Sequence, residues 1–184
     1  RTLEKTFDLI ESSGVLHHME NPNSGLEILS SILKPSGLIR LGLYSSLARR
    51  EIMKTREIIA NKNIPATVAG MRSFRQELIE LEEPAIQNLK PLHDFYSMSS
   101  FRDLLFHTQE HQLTLLEIDI MLTQLELKFI GFEYKDKKMF ENFRKKFPNP
   151  KSLYDLKAWH EFELENPDTF ISMYQFWVQK VTGS

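Results

Sequence analysis

The sequence predicts an α/β fold, and three observations lead to this prediction. The first is a strand–helix–strand order near the start, with strands over 6–11 and 38–44 around a helix over 24–33. The second is a long helical stretch in the middle of the chain. The third is a pair of runs over 128–134 and 169–181 that are rich in apolar, β-branched and aromatic residues. Together they predict a sheet with helices packed on it.

The strand–helix–strand unit sets the direction of the first two strands. Asn23 and Ser24 are typical helix-start residues, and the leucines that follow recur at helical spacing. The run Lys-Pro-Ser-Gly over 34–37 is expected to end this helix in a loop, because proline cannot continue a helix. A short crossover of this kind makes the two strands parallel.

Capping patterns and helical periodicity divide the remaining helical sequence. Ser100 is expected to open a helix over 101–110, Thr114 with Glu117 forms a better capping box, and Ser152 opens a helix that must stop before Pro167. Periodicity adds helices over 48–61 and from about 71 to 81. We interpret 1–184 as a single α/β domain that carries a large helical insertion over 47–112.

Composition bounds the partners that the chain can have. Of the 184 residues 41% are hydrophobic and 26% charged, with a net charge of −2 and no cysteine. These values exclude a disordered or fibrous class, and they predict a cytoplasmic protein that binds neither nucleic acid nor membrane. The first residue is Arg1 rather than methionine, which we interpret as a fragment of a longer chain.

The glycines exclude several nucleotide-binding motifs. None of the seven glycines lies two residues from another, so the dinucleotide fingerprint and the phosphate-binding P-loop are absent. The G-x-S-x-G motif of serine hydrolases is absent as well.

Two polar stretches are candidate sites. The loop over 13–19 follows the first strand, at the edge of an open α/β sheet where ligands bind, although it also fits a plain loop with two solvated histidines. His107, Glu110 and His111 have the H-x-x-E-H spacing of a zinc peptidase if they lie on one helix. The expected third protein ligand is missing, so a polar helix end or a substrate-facing patch is the alternative.

Two segments resemble class I S-adenosylmethionine-dependent methyltransferases. The run FDLIESSGVLHHM over 7–19 and the run LKPSGLI over 33–39 are similar to that family's fourth and fifth strand region, with Ser36 where glycine is commoner. The run over 103–111 is similar to methyltransferase domains that are attached to tetratricopeptide repeats in bacterial proteins. The resemblance implies a truncated Rossmann-like methyltransferase sheet, whose last two strands form an antiparallel hairpin.

The resemblance also implies site residues. The backbone of Ser13, Gly14, Val15 and Leu16 would border S-adenosylmethionine. Candidates for a catalytic base, or for groups facing the methyl acceptor, are His17, His18, His107, Glu110 and His111, and the expected substrate contacts are Tyr44 and Tyr96. The family's glycine-rich cofactor loop precedes the region that matches this chain, so we expect very weak cofactor binding, or none, from this chain alone.

In this family another strand flanks the one that the first strand here resembles. The strand between Phe7 and Glu11 would therefore be an open edge, and we expect it to be covered by self-association, by the leading residues or by a swapped element. The acceptor is expected to be a small molecule or a protein. The alternative function is a non-enzymatic α/β interaction module that uses the helical insertion as its partner surface.

Overall fold

The computed structural model describes residues 5–81, 95–107, 109–133, 137–170 and 173–181. The chain divides into two compact units. The sheet unit comprises Arg1–Ala48 with Gln109–Ser184, and the helical unit comprises Arg49–Thr108. The helical unit begins and ends inside the predicted insertion.

The sheet unit contains a four-stranded mixed sheet. Its strands are β1 (Phe7–Ser13), β2 (Leu33–Tyr44), β3 (Leu127–Phe132) and β4 (Met173–Lys180), in the order β1-β2-β4-β3. β1 and β2 are parallel, and β4 is antiparallel to both β2 and β3. The predicted α/β class, the parallel first pair and the antiparallel last pair are therefore confirmed. β1 lies at one edge of the sheet.

Helices in both units follow the predicted order with shifted ends. The described helices are α1 (Pro22–Ser31), α2 (Arg50–Asn61), α3 (Val68–Glu80), α4 (Met98–Phe106), α5 (Leu115–Gln124), α6 (Lys137–Lys146) and α7 (Leu156–Glu165). Short 3₁₀ helices occupy Leu16–His18 and Pro150–Tyr154. None of these described helices combines the length and apolarity that crossing a bilayer requires.

Each unit has its own apolar core. In the sheet unit, alternate residues of β2 and β4 are buried against helical side chains such as Trp159 and Phe143, whose rings stack at 3.7 Å. This alternation follows from the two-residue period of a strand. In the helical unit, α2, α3 and α4 pack around a separate cluster that includes Phe74, Leu78 and Phe101.

Arg40 of β2 forms hydrogen bonds to side chains of the neighbouring strands, on the face of the sheet opposite the helix-packed core. Its guanidinium lies 2.5 Å from Glu11 of β1 and 2.5 Å from Glu133 after β3, and it also donates to Gln175 of β4 at 3.2 Å. The hydrogen bond to Glu133 is the main reason that the pKa of Arg40 is raised. Strand alternation places these side chains opposite the helix-packed core.

The predicted loop over 34–37 is wrong, since these residues lie within β2. Phe7 pairs with Leu33, but Leu9 pairs with Leu38, so six residues of β2 stand opposite three of β1. The extra residues form a bulge in which Ser36 takes a φ of 61°. A bulge accommodates Pro35 because the extra residues in a bulge are left out of the hydrogen-bond ladder.

Other differences concern where elements begin and end. Asn21 caps α1 instead of Asn23 or Ser24, and Ser97 caps α4 instead of Ser100. Asp155 caps α7, which confirms a helix ending before Pro167 but not its predicted start at Ser152. The predicted ends of the last two strands include residues 134, 171 and 172, which lie outside the described residues.

Candidate functional site

The carboxyl ends of β1 and β2 meet at one edge of the sheet, because the two strands are parallel. After β1, Gly14 takes a φ of 74°, and its N–H donates to the carbonyl of Gly42 in β2 at 3.2 Å. This left-handed residue turns the chain into the 3₁₀ helix that carries the two histidines. The loop predicted as the candidate site therefore starts at the strand end where α/β sheets bind ligands.

His17, His18 and Tyr44 pack together at this edge, and we call them the histidine–tyrosine cluster. The rings of His17 and Tyr44 stack with centroids 3.7 Å apart and planes 22° apart. His18 meets His17 edge-on at 4.4 Å. His17 is fully buried, whereas His18 is half-buried, so His18 is the more accessible of the two rings.

The hydrogen bond of His18 defines its neutral tautomer. Nδ1 lies 3.3 Å from the carbonyl oxygen of Gln109. A carbonyl can only accept, so Nδ1 carries the proton when the ring is neutral. Nε2 is then the basic nitrogen, which is the form that a general base requires.

The segment over 109–113 lies beside the cluster through its main chain. The N–H of His111 donates to the carbonyl of His17 at 2.8 Å, and the N–H of Leu113 donates to the carbonyl of Tyr44 at 2.9 Å. Folding thus brings the main chain at Glu110 and His111 next to the two predicted histidines, although these residues are distant in sequence. The side chain of Glu110 accepts from Gln112 at 2.8 Å.

His107 and Tyr96 belong to the helical unit. The helix predicted over 101–110 is present but its predicted end is wrong, because α4 ends at Phe106 and His107 is extended with φ −69° and ψ 129°. His107 and His111 therefore do not share a helix face, and the described residues contain no group of three potential ligands that could hold a metal. Tyr96 is 63% exposed, and its carbonyl accepts from Arg75.

The four residues predicted to border the cofactor differ in exposure. Leu16 is buried in the core of the sheet unit, whereas Val15 is 54% exposed. A Cβ atom on Gly14 would meet nothing within 4 Å, so space lies open beside the end of β1. The main chain of Gly14 is therefore open on the side that a side chain would occupy.

A pocket of about 320 Å³ adjoins the segment over 109–113. Leu113, Met121 and Ile120 supply apolar lining, while His111 and Glu117 supply polar lining. Mixed lining of this kind suits an organic ligand better than a bare ion.

The sheet unit also contains a buried polar group that the sequence did not predict. Ser45, Glu163 and Tyr174 are buried, and the carboxyl group of Glu163 accepts hydrogen bonds from the hydroxyls of Ser45 and Tyr174. A signal existed for Glu163, which lies four residues after Trp159 and seven after Leu156, on the apolar stripe of α7. An acidic residue on such a stripe predicts a buried polar interaction.

Comparisons with known proteins show what the chain is similar to. It is 26% identical to an uncharacterized Synechococcus protein, syc1184_c, over 94% of this chain and 43% of that protein. No family model matches. The structure superposes on PKMT2 from Rickettsia typhi with a TM-score of 0.67 and 13% identity, over 97% of this chain and 36% of the other. The complex of PKMT2 with AdoHcy gives 0.68 and 12%, over 99% and 37%.

The chain has the fold of the part of PKMT2 that it matches. It spans about two-fifths of the curated relative and somewhat over a third of each PKMT2 chain. The fold predicted from the resemblance is therefore confirmed, and its neighbour is a protein solved with AdoHcy. The roles given to individual site residues stay predictions.

Proposed function

We propose that this chain is the carboxyl-terminal part of an S-adenosylmethionine-dependent methyltransferase, of the type attached to tetratricopeptide repeats in bacteria. The observation that carries the proposal is the fold shared with PKMT2 in its AdoHcy complex, combined with open space beside Gly14 at the carboxyl end of β1. The exposed edge of β1 and the short coverage of both relatives support the fragment interpretation.

In this proposal the chain supplies one wall of the cofactor site. Main-chain groups of Ser13, Gly14 and Val15 would border the cofactor, which supplies an activated methyl group when it is bound. The family's glycine-rich loop has no counterpart among the glycines of this chain. Most cofactor hydrogen bonds would then come from outside the 184 residues, and the affinity of this chain alone would be low.

His18 is the proposed general base for the methyl acceptor. In methyl transfer the acceptor's lone pair forms the bond to carbon, the carbon–sulfur bond breaks, and the acceptor's proton leaves. The hydrogen bond at Nδ1 leaves Nε2 as the nitrogen that can accept this proton, and the side chain of His18 is half-buried. His111 and Glu110 stand close by as further candidates, and Tyr44 supports the cluster from the end of β2.

Calorimetry with AdoHcy tests the cofactor part of the proposal. We expect weak or no binding by the 184-residue chain, and tight binding by the same chain joined to the upstream part of its reading frame. Tight binding by the 184 residues alone would contradict the fragment interpretation. Absence of binding by the extended protein would contradict the methyltransferase interpretation.

Methyl transfer by the extended protein tests the base. His18→Gln is expected to lower the rate by roughly 10²-fold or more while AdoHcy affinity is kept. The rates of methyl transfer by His111→Gln and His107→Gln show whether either of these histidines acts as the base instead. An unchanged rate in His18→Gln would remove His18 from the chemistry.

A second candidate function is a protein-interaction module built on the helical unit. The observation that favours it is that Arg49–Thr108 forms a compact unit with its own core and exposes Tyr96, Val68 and Ile79. Size measurement by light scattering tests this alternative. A protein that stays monomeric and binds no partner at the surface around Tyr96 would argue against this function.

A further inference from the structure

A buried carboxyl group connects three elements of the sheet unit. Glu163 of α7 is 1% exposed, and its Oε1 atom accepts the hydroxyl of Ser45 at 2.7 Å. The hydroxyl of Tyr174 in β4 donates to its Oε2 atom at 2.8 Å. Because all three side chains are buried, this group cannot contact a ligand directly. Its effect must reach the surface through the residues that it holds.

Ser45 has a fixed hydroxyl direction. The N–H of Ala48 donates to the Oγ atom of Ser45 at 3.1 Å, which closes a turn directly after β2. A serine hydroxyl has a single proton to donate, and Ser45 donates it in the hydrogen bond to Glu163. Ser45 is thus held from two sides, by its own turn and by α7.

Ser45 is the residue next to the histidine–tyrosine cluster. It follows Tyr44, whose ring stacks on His17 at 3.7 Å. Leu113 fixes the same stretch of main chain, since it donates to the carbonyl of Tyr44 at 2.9 Å and accepts the N–H of Ser46 at 3.0 Å. Ser45 and Tyr44 share a peptide bond, so we expect a rotation of the backbone at Ser45 to move the Tyr44 ring relative to His17.

We propose that Glu163 is a positioning residue for the histidine–tyrosine cluster, acting through Ser45 on the ring of Tyr44. The inference rests on the proposed function for its chemical purpose, which is to keep His17 and His18 in place at the methyl-acceptor side. Burying a carboxyl group carries an energetic penalty that an apolar side chain would avoid. The hydrogen bonds from two hydroxyl donors offset part of this penalty. The same hydrogen bonds allow the carboxyl group to fix the position of Ser45.

Nuclear magnetic resonance of the histidine rings in the 184-residue chain tests the proposal. The stacked Tyr44 ring shields the protons of His17, so these signals are expected upfield of an exposed histidine. Ser45→Ala and Glu163→Ala are expected to move them downfield. Glu163→Gln keeps an oxygen that accepts from Ser45, and it is expected to restore the upfield position.

Tyr174→Phe is the matched control, because it removes the other hydroxyl and leaves the bond between Ser45 and Glu163. We expect the His17 signals of this variant to match those of the unmodified chain. Unmoved His17 signals in folded Ser45→Ala would overturn the proposal, and so would equal displacement in Tyr174→Phe. Ser45→Ala is a small truncation, so this variant still tests whether loss of the hydrogen bond displaces the His17 signals if Glu163→Ala fails to fold.

The readout separates this proposal from the proposed function. Ring shielding is measured without cofactor or acceptor, whereas AdoHcy calorimetry measures the cofactor site. Displaced His17 signals together with absent AdoHcy binding in the extended protein would keep Glu163 as a positioning residue and reject methyl transfer. The reverse result would keep methyl transfer and reject the role of Glu163.

Discussion

Ser36 holds a left-handed backbone conformation within the bulge of β2, with a φ of 61°. This conformation costs a residue with a Cβ atom roughly 1–2 kcal/mol. The carbonyl of Ser36 accepts from Gln179 of β4 at 3.1 Å, which helps to hold the bulge in place. Glycine would take the same backbone without the steric penalty.

Ser36→Gly is therefore expected to raise the free energy of unfolding by about 0.5–1 kcal/mol, after the greater freedom of glycine in the unfolded chain is subtracted. Urea denaturation measures the change. Asn63→Gly is the matched control, since Asn63 also has a positive φ, of 52°. Asparagine tolerates this region better, so its gain should be smaller. A loss of stability in Ser36→Gly would contradict this account of the bulge.

Glu163 links stability to pH. Burial raises the pKa of its carboxyl group above the ordinary value, although Ser45 and Tyr174 counteract part of the shift by hydrogen bonding. The folded state therefore keeps this proton to higher pH than the unfolded state does. The contribution to stability is complete below the ordinary pKa of the group, and it is lost as the pH rises through the folded-state pKa.

Glu163→Gln is expected to remove this dependence. At low pH the variant should be less stable by roughly 1 kcal/mol, because one hydrogen bond is rearranged. As the pH rises to neutrality, the difference should shrink or reverse, since the amide does not ionise. Denaturation midpoints across this range measure the difference, with Glu141→Gln on the exposed face of α6 as control. A difference that stays constant with pH would show that Glu163 does not titrate in this range.

At the scale of elements, helix α5 begins with a complete capping box. The Oγ1 atom of Thr114 accepts the N–H of Glu117 at 3.2 Å, and the carboxylate of Glu117 accepts the N–H of Thr114 at 2.7 Å. This arrangement satisfies two main-chain donors that the helix leaves unpaired. The sequence pattern predicted it because both partners lie within four residues of each other.

Thr114→Ala is expected to lower the free energy of unfolding by about 1 kcal/mol, because the N–H of Glu117 loses its acceptor. Thr114→Ser keeps the hydroxyl and should stay within a few tenths of a kcal/mol of the unmodified chain. Chemical denaturation of both variants provides the comparison. Equal stability of the alanine and serine variants would mean that the cap contributes nothing.

The same local reasoning failed for the run over 107–112. Its spacing of His107, Glu110 and His111 fits a helix, yet no apolar residue lies between Phe106 and Leu113 to give that helix a buried face. The chain pairs its main-chain groups with His17 and Tyr44 instead. These partners are about 70 to 90 residues away in sequence, so a short motif cannot reveal them.

At the scale of the whole molecule, the sheet formed by the described residues ends in the edge strand β1. β1 pairs with β2 on one side, and it forms the outer edge of the described sheet on the other. Leu9 in the middle of this strand is 56% exposed. Unpaired main-chain groups beside apolar side chains favour pairing with another strand. The proposed partner in the isolated chain is a second copy.

Leu9→Lys is expected to reduce self-association of the 184-residue chain, because an edge lysine disfavours strand addition. Sedimentation velocity at several concentrations measures the effect. Leu164→Lys on α7 is the matched control, since Leu164 is 59% exposed but lies away from the edge in the fold. A chain that is monomeric at all concentrations, or equal dissociation in both variants, would contradict self-association through β1.

The resemblance to a known family predicted the antiparallel last pair of strands. The sequence by itself determined the α/β class, the parallel first pair of strands and the cap of α5. These features depend on periodicity, short connections and partners that lie close together along the chain. Only the tertiary structure decided that 34–37 form a bulge, that His107 and His111 lie off any shared helix, and that Glu163 holds Ser45. Each of these outcomes depends on contacts with residues far away in sequence, whose energies outweigh the local preference of the segment.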